Sequence, residues 1–117
     1  MAVGTSVMVV DDNDLWRSTI RGVLSVNGYE VVATSCSKEA EAYLGNLENR
    51  PVLAIIDGLD GEGERLAEFC KKLGILTVGF SDNPVSFGDE NLQKGKSTEK
   101  LLEAVERLLK GVKQQIH

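Results

Sequence analysis

The stretch Val7-Met8-Val9-Val10-Asp11-Asp12-Asn13-Asp14 runs four apolar residues directly into four whose side chains carry oxygen. A short, largely β-branched, unbroken apolar run is the pattern of a strand buried on both faces. Beyond it, Trp16, Ile20, Val23 and Leu24 fall at the i, i+4, i+7, i+8 spacing of one helix face, with Asn13 or Asp14 as N-cap and Asn27-Gly28 as the stop. The same alternation continues outward. Further strands are expected at Val31-Val32-Ala33, Val52-Leu53-Ala54-Ile55-Ile56 and Ile75-Leu76-Thr77-Val78-Gly79-Phe80. Helical spacing recurs in Ala40, Tyr43, Leu44 and Leu47 between Ser37 and Arg50-Pro51, and in Leu66, Phe69, Cys70 and Leu73 before Gly74. A last helix follows a Ser97 cap, with Leu101, Leu102, Val105, Leu108, Leu109 and Val112 on its apolar face. Strand alternating with helix predicts right-handed βαβ units and an α/β domain with a doubly wound parallel sheet.

A weaker fifth strand is expected at Glu90-Asn91-Leu92-Gln93, whose one strongly apolar residue suits a sheet edge. Only nine residues, Ser81 to Asp89, precede it, fewer than the dozen or so that a crossover through a helix takes. Pro84 and Gly88 lie among them. The fourth helix is therefore expected to be shortened or missing. With no internal repeat and no Pro/Gly/Ser linker, residues 1–117 read as one domain around one core.

Composition narrows the function. Thirteen Lys and Arg against 18 Asp and Glu give a net charge of −5. That balance argues against nucleic acid or an anionic membrane as partner, because both select for surplus base. Cys36 and Cys70 form no C-x-x-C pattern and read as reduced, buried thiols. There is no basic leader at the start and no apolar run near the ~18 residues of a membrane span, so the expected location is the cytoplasm. The one histidine is His117, which leaves core chemistry to carboxylates, hydroxyls and lysine.

In an open parallel sheet, ligands bind outside the carboxyl ends of the strands. Those ends carry Asp11-Asp12, Asp57, Ser81 and Lys94. An isolated acid after a strand commonly caps the next helix, but Asn13 and Asp14 can do that here, and Asp11 and Asp12 are surplus. At ~4 Å and an effective dielectric near 20, two carboxylates repel by about 4 kcal/mol, so such a group needs a cation, a proton or a lysine. Oxygen ligands from few protein groups suit Mg²⁺. They suit phosphoryl transfer equally, and a carboxylate can itself accept the phosphoryl group as an acyl phosphate.

Val7 to Asp12, Asp57 closing Ala54-Ile55-Ile56, Ser81 closing Val78-Gly79-Phe80, and Lys94 before the final helix together resemble the response-regulator receiver domain of two-component signalling, over roughly Ser6 to Lys110. The resemblance implies a flavodoxin-like five-stranded sheet in the order 2-1-3-4-5. It implies a phosphoprotein in a phosphorelay, phosphorylated on Asp57 by a histidine kinase or phosphotransfer protein and signalling to a downstream protein target. Asp12 and Asp57 would be direct Mg²⁺ ligands, with Asp11 acting chiefly through water and the backbone carbonyl of Leu59 completing the set. Lys94 would pair with Asp57 and then with a phosphoryl oxygen. Ser81 would hydrogen-bond another and draw its loop inward. No turnover is expected beyond self-phosphorylation from a phosphodonor and loss of that group.

Five features depart from the family pattern. Gly58-Leu59-Asp60-Gly61-Glu62-Gly63-Glu64 replaces a Met-Pro type of turn. Asp82 stands where a small residue follows the hydroxyl and should slow phosphorylation unless it turns outward. Asn91 replaces an aromatic switch residue, Gly95 replaces the proline after the lysine, and the fourth crossover is short. A second reading is therefore a pseudo-receiver, an interaction module that works without phosphorylation. A third, a stand-alone Mg²⁺ phosphohydrolase, has only the Asp12-Asn13-Asp14 spacing behind it. Trp16 reads as a core residue that can report on the metal site. Glu103 with Arg107 and Glu106 with Lys110 read as i, i+4 pairs on a solvated helix face.

Overall fold

A computed structural model describes residues 5–95 and 98–115. Strands β1 (Ser6–Val10), β2 (Glu30–Thr34), β3 (Leu53–Ile56), β4 (Leu76–Ser81) and β5 (Glu90–Gln93) form one parallel sheet in the order β2-β1-β3-β4-β5. The helices are α1 (Asp14–Val26), α2 (Ser37–Leu44), α3 (Glu62–Lys72) and α4 (Thr98–Gln115). This is the flavodoxin-like order. The expected Ser97 cap lies outside the described residues.

Alternation along the strands divides the core in two. Val7, Val9, Leu53, Ile55, Val78 and Phe80 meet Ile20 and Leu24 of α1 and Leu101 and Val105 of α4. Their neighbours Met8, Val10, Ala54 and Ile56 meet Ala40 and Leu44 of α2 and Leu66, Ala67 and Cys70 of α3. Each large side chain so buried contributes about 1.5–3 kcal/mol, which explains why the runs of β1 and β3 at the sheet centre are apolar.

Local chemistry sets the boundaries. Asn13 caps α1, its side chain accepting the Trp16 N–H at 2.9 Å, and Asp14 is the first helical residue. Leu47 does not extend the apolar face of α2. The helix stops at Leu44, the Asn46 side chain accepts the Glu48 N–H and starts a separate turn, and Leu47 is left 75% exposed. Val52 precedes β3 and is also exposed. Arg107 reaches back to Glu90 on β5 with two guanidinium nitrogens, a longer-range partner than the Glu103 that helical spacing suggested.

No helix occurs between Ser81 and Glu90. The register explains how so short a link can join parallel strands. β5 begins opposite Val78, so the chain retraces only three residues of strand, about 10 Å. Phe87 from this strap packs against the α2/α3 half of the core where a helix would otherwise lie. Its end is pinned by Asp89, whose carboxylate accepts the Thr77 N–H at 2.8 Å and whose N–H donates to the Thr77 carbonyl at 2.9 Å. Asn91 clasps Gly88 in both directions, accepting its N–H at 2.9 Å and donating to its carbonyl at 3.1 Å.

Of the two thiols expected in the core only Cys70 is buried; Cys36, at the N-cap position of α2, is exposed. Burial pushes the Cys70 thiol from 9.0 up to about 11. A raised value means this contribution to stability is fully present below pH 9.0 and lost as pH rises through about 11. At ~1.4 kcal/mol per unit the loss is roughly 3 kcal/mol. Urea unfolding at about pH 8 and about pH 11.5 should show this loss, and Cys70→Ala should lack it. An identical alkaline decline in both proteins would refute the assignment.

Candidate acidic metal site

The sheet ladder aligns the strand ends. Val10 and Ile56 are register partners, so Asp11 and Asp57 follow side by side. The Asp57 N–H donates to the Val10 carbonyl at 2.9 Å, and the Asp11 N–H to the Thr34 carbonyl at 3.1 Å. On the other side Gln93 pairs with Ser81, and the Lys94 N–H donates to the Ser81 carbonyl at 2.8 Å. Backbone pairing thus positions Asp11, Asp57, Ser81 and Lys94, and Asp12 follows as an exposed neighbour.

Lys94 Nζ lies 2.8 Å from Asp57 Oδ1 and 2.6 Å from Asp11 Oδ2. The side chains of Lys94, Asp11 and Asp57 are 3%, 2% and 13% exposed. The remaining oxygens are also engaged: Asp11 Oδ1 accepts the Asn13 N–H at 2.9 Å, and Asp57 Oδ2 accepts the Leu59 N–H at 3.0 Å. Burial pushes the Asp11 carboxyl above its ordinary value, and the bonds from Lys94 and Asn13 only partly oppose it. Burial also pulls the Lys94 ammonium down, but its hydrogen bonds to Asp11 and Asp57 outweigh that and leave it raised.

Two residues of the turn after Asp57 adopt left-handed backbone, Leu59 at φ 51° and Asp60 at φ 52°. Outside glycine this costs about 1–2 kcal/mol per residue. Burial of the Leu59 side chain and its N–H bond to Asp57 help to offset that cost. The Leu59 carbonyl accepts the Glu62 N–H, which leaves it a second lone pair. Ser81 is buried beside this turn: a Cβ on Gly58 would sit 3.1 Å from its Oγ, so glycine there lets the hydroxyl approach the Asp57 loop. Asp82 is exposed. Its backbone carbonyl accepts Gln93 Nε2 at 2.9 Å, and its carboxylate is not among the clustered oxygens.

One oxygen from each of Asp11, Asp12 and Asp57 lies within 4.8 Å of the others. The donors are hard oxygens throughout, and three carboxylates against one ammonium leave two negative charges to be met. Ligands of octahedral Mg²⁺ at ~2.1 Å stand about 3–4.2 Å apart, so a small contraction of this cluster would close on such an ion. The residues fit a divalent hard cation. Arg17 was not expected at this site. Its Nη1 folds back to donate to the Asp11 carbonyl at 2.8 Å, a link across six positions that no spacing rule marks.

This architecture is the receiver-domain fold of response regulators. A response regulator receiver domain protein (CheY-like) from Methanospirillum hungatei JF-1 superposes with a TM-score of 0.85 at 24% identity, over 95% of this chain and 98% of that one. A response regulator from Thermotoga maritima gives 0.79 at 20% identity over 94% and 99%. NtrX from Brucella abortus gives 0.83 at 23% identity over 98% of this chain but 29% of that longer one. At these identities the likeness is one of fold. No family model and no curated protein matches the chain. Among the described residues no helix is long and apolar enough to cross a membrane.

Proposed function

We propose that the chain is a single receiver domain, spanning residues 1–117, that accepts a phosphoryl group on Asp57 from a histidine kinase or phosphotransfer protein in the cytoplasm. The observation behind this reading is the buried Lys94 ammonium bridging Asp11 and Asp57 within a cluster that retains two uncompensated negative charges. Asp12, Asp57 and the Leu59 carbonyl would hold Mg²⁺ directly, with Asp11 in support. The ion would neutralise charge on the phosphoryl oxygens.

The remaining work belongs to the chain. An Asp57 carboxylate oxygen attacks phosphorus, the bond to the donor nitrogen or oxygen breaks, and the leaving group takes the electron pair. Lys94 transfers one of its hydrogen bonds to a phosphoryl oxygen, and the Ser81 hydroxyl donates to another. A downstream protein would read the resulting change of surface.

One observation favours the pseudo-receiver instead: both Asp57 oxygens and the Leu59 carbonyl already hold hydrogen bonds. The two readings separate on adding Mg²⁺ and then beryllofluoride or a small phosphodonor, followed by Trp16 fluorescence and intact mass. Wild type should gain mass and Asp57→Asn should not. A folded wild type with neither adduct nor metal response would leave the interaction module as the function.

A further inference from the structure

A closed ring of contacts surrounds the amine of Lys94. Asn13 donates its N–H to Asp11 Oδ1, and its side chain accepts the Trp16 N–H, each at 2.9 Å. The Trp16 ring lies over Lys94 Nζ, 5.5 Å from ring centroid to nitrogen. Nζ then returns to Asp11 Oδ2 at 2.6 Å. Phe80 meets the indole edge-on, with centroids 5.4 Å apart and planes at 87°, which sets the ring's orientation from the core side.

We propose that Trp16 is a positioning residue for Lys94: its indole face holds the ammonium against Asp57, so that it helps to set the rate at which Asp57 accepts a phosphoryl group. The rate component rests on the function proposed above. A cation within about 6 Å of an aromatic centroid is attracted by the ring quadrupole, most strongly for tryptophan and where water is excluded. The Lys94 side chain is 3% exposed, which meets that condition.

The need for such a partner follows from the backbone and from the chemistry. Lys94 directly follows β5, and Gly95 after it at φ +94° has nothing within 4 Å of where a Cβ would sit, so that neighbour offers the long side chain no packing. Asp57 changes its bonding when it takes up a phosphoryl group, which leaves Asp11 at 2.6 Å and the Trp16 ring as the contacts that persist around the ammonium. The indole keeps the same quadrupole before and after.

The test compares wild type, Trp16→Phe and Trp16→Leu in Mg²⁺ with a small phosphodonor, following adduct formation by intact mass and folding by circular dichroism. Trp16→Leu should form the adduct about tenfold more slowly, equivalent to about 1.4 kcal/mol, and Trp16→Phe should stay within about threefold of wild type. Equal rates for wild type and Trp16→Leu, or a Phe variant no faster than the Leu variant, would overturn the proposal.

Should wild type itself form no adduct, the phosphoryl-acceptor reading fails, and the metal-free protein decides the positioning role. There Trp16→Leu, Lys94→Met and the double variant form a cycle on the unfolding equilibrium constant. Coupling beyond about twofold supports contact-dependent placement of the ammonium, and additivity within that limit refutes it.

Discussion

Replacing Lys94 by methionine should cost roughly 3–5 kcal/mol of folding stability at neutral pH in the absence of divalent metal, because it strands two carboxylates whose ion-pair partner, among the described residues, is Lys94. Asp11 and Asp57 are held 2.6 and 2.8 Å from the amine, and Asp12 lies in the same cluster. The loss should depend on pH. The Asp11 carboxyl is already raised above 3.8 by burial, so its contribution is fully present below that value and lost as pH rises through the folded one. Removing the ammonium takes away an opposing influence and raises it further, so the variant's deficit should grow from acid to neutral pH. Millimolar Mg²⁺ should recover part of it by binding the folded state alone. Urea unfolding at about pH 4 and about pH 7, with and without Mg²⁺, measures each part. A Lys94→Met protein as stable as wild type at neutral pH would show that the amine does not offset the carboxylates.

The second large effect is steric. A Cβ on Gly63 would lie 2.3 Å from the Asp57 carbonyl oxygen, 3.0 Å from the Gly58 carbonyl oxygen and 3.0 Å from Phe87 Cζ. Two of these obstacles are backbone and cannot swing aside. Gly63→Ala should therefore cost about 3 kcal/mol or more, seen as a melting temperature lower by roughly 10 °C. Gly22 in α1 has nothing within 4 Å of a Cβ, and Gly22→Ala should be neutral or gain up to about 1 kcal/mol from helix propensity. Equal melting temperatures for the two alanine variants would contradict the close approach of α3 to the Asp57 loop.

The central strands β1, β3 and β4 were legible because their runs are buried on both faces and so are mostly apolar. The nine residues before Glu90 could be counted against the length of a helical crossover, which made the missing helix legible too. The candidate residues Asp11, Asp12, Asp57, Ser81 and Lys94 were named from the rule that ligands bind at strand carboxyl ends. What sequence could not supply was direction and distance. Nothing in Leu59-Asp60 announces two left-handed residues, since neither is glycine and the core burial of the Leu59 side chain that helps to offset their cost is tertiary. Asp82 could be named but not aimed, and exposure decided the matter. Leu47 obeyed a helical period that Asn46 interrupts. The burial of Asp11 against Lys94 follows from the registers of β1 with β3 and of β4 with β5, which only the assembled sheet defines.

The strap between Ser81 and Glu90 also limits what can recognise that side of the molecule. Two helices dock by laying rows of side chains from one into the furrows of the other, and those rows exist only where residues repeat every three or four positions around a rod. Between β4 and β5 this chain presents irregular backbone with Phe87 turned inward. A partner that approaches there meets no furrow to interlock with and has to read individual amides and single protruding groups.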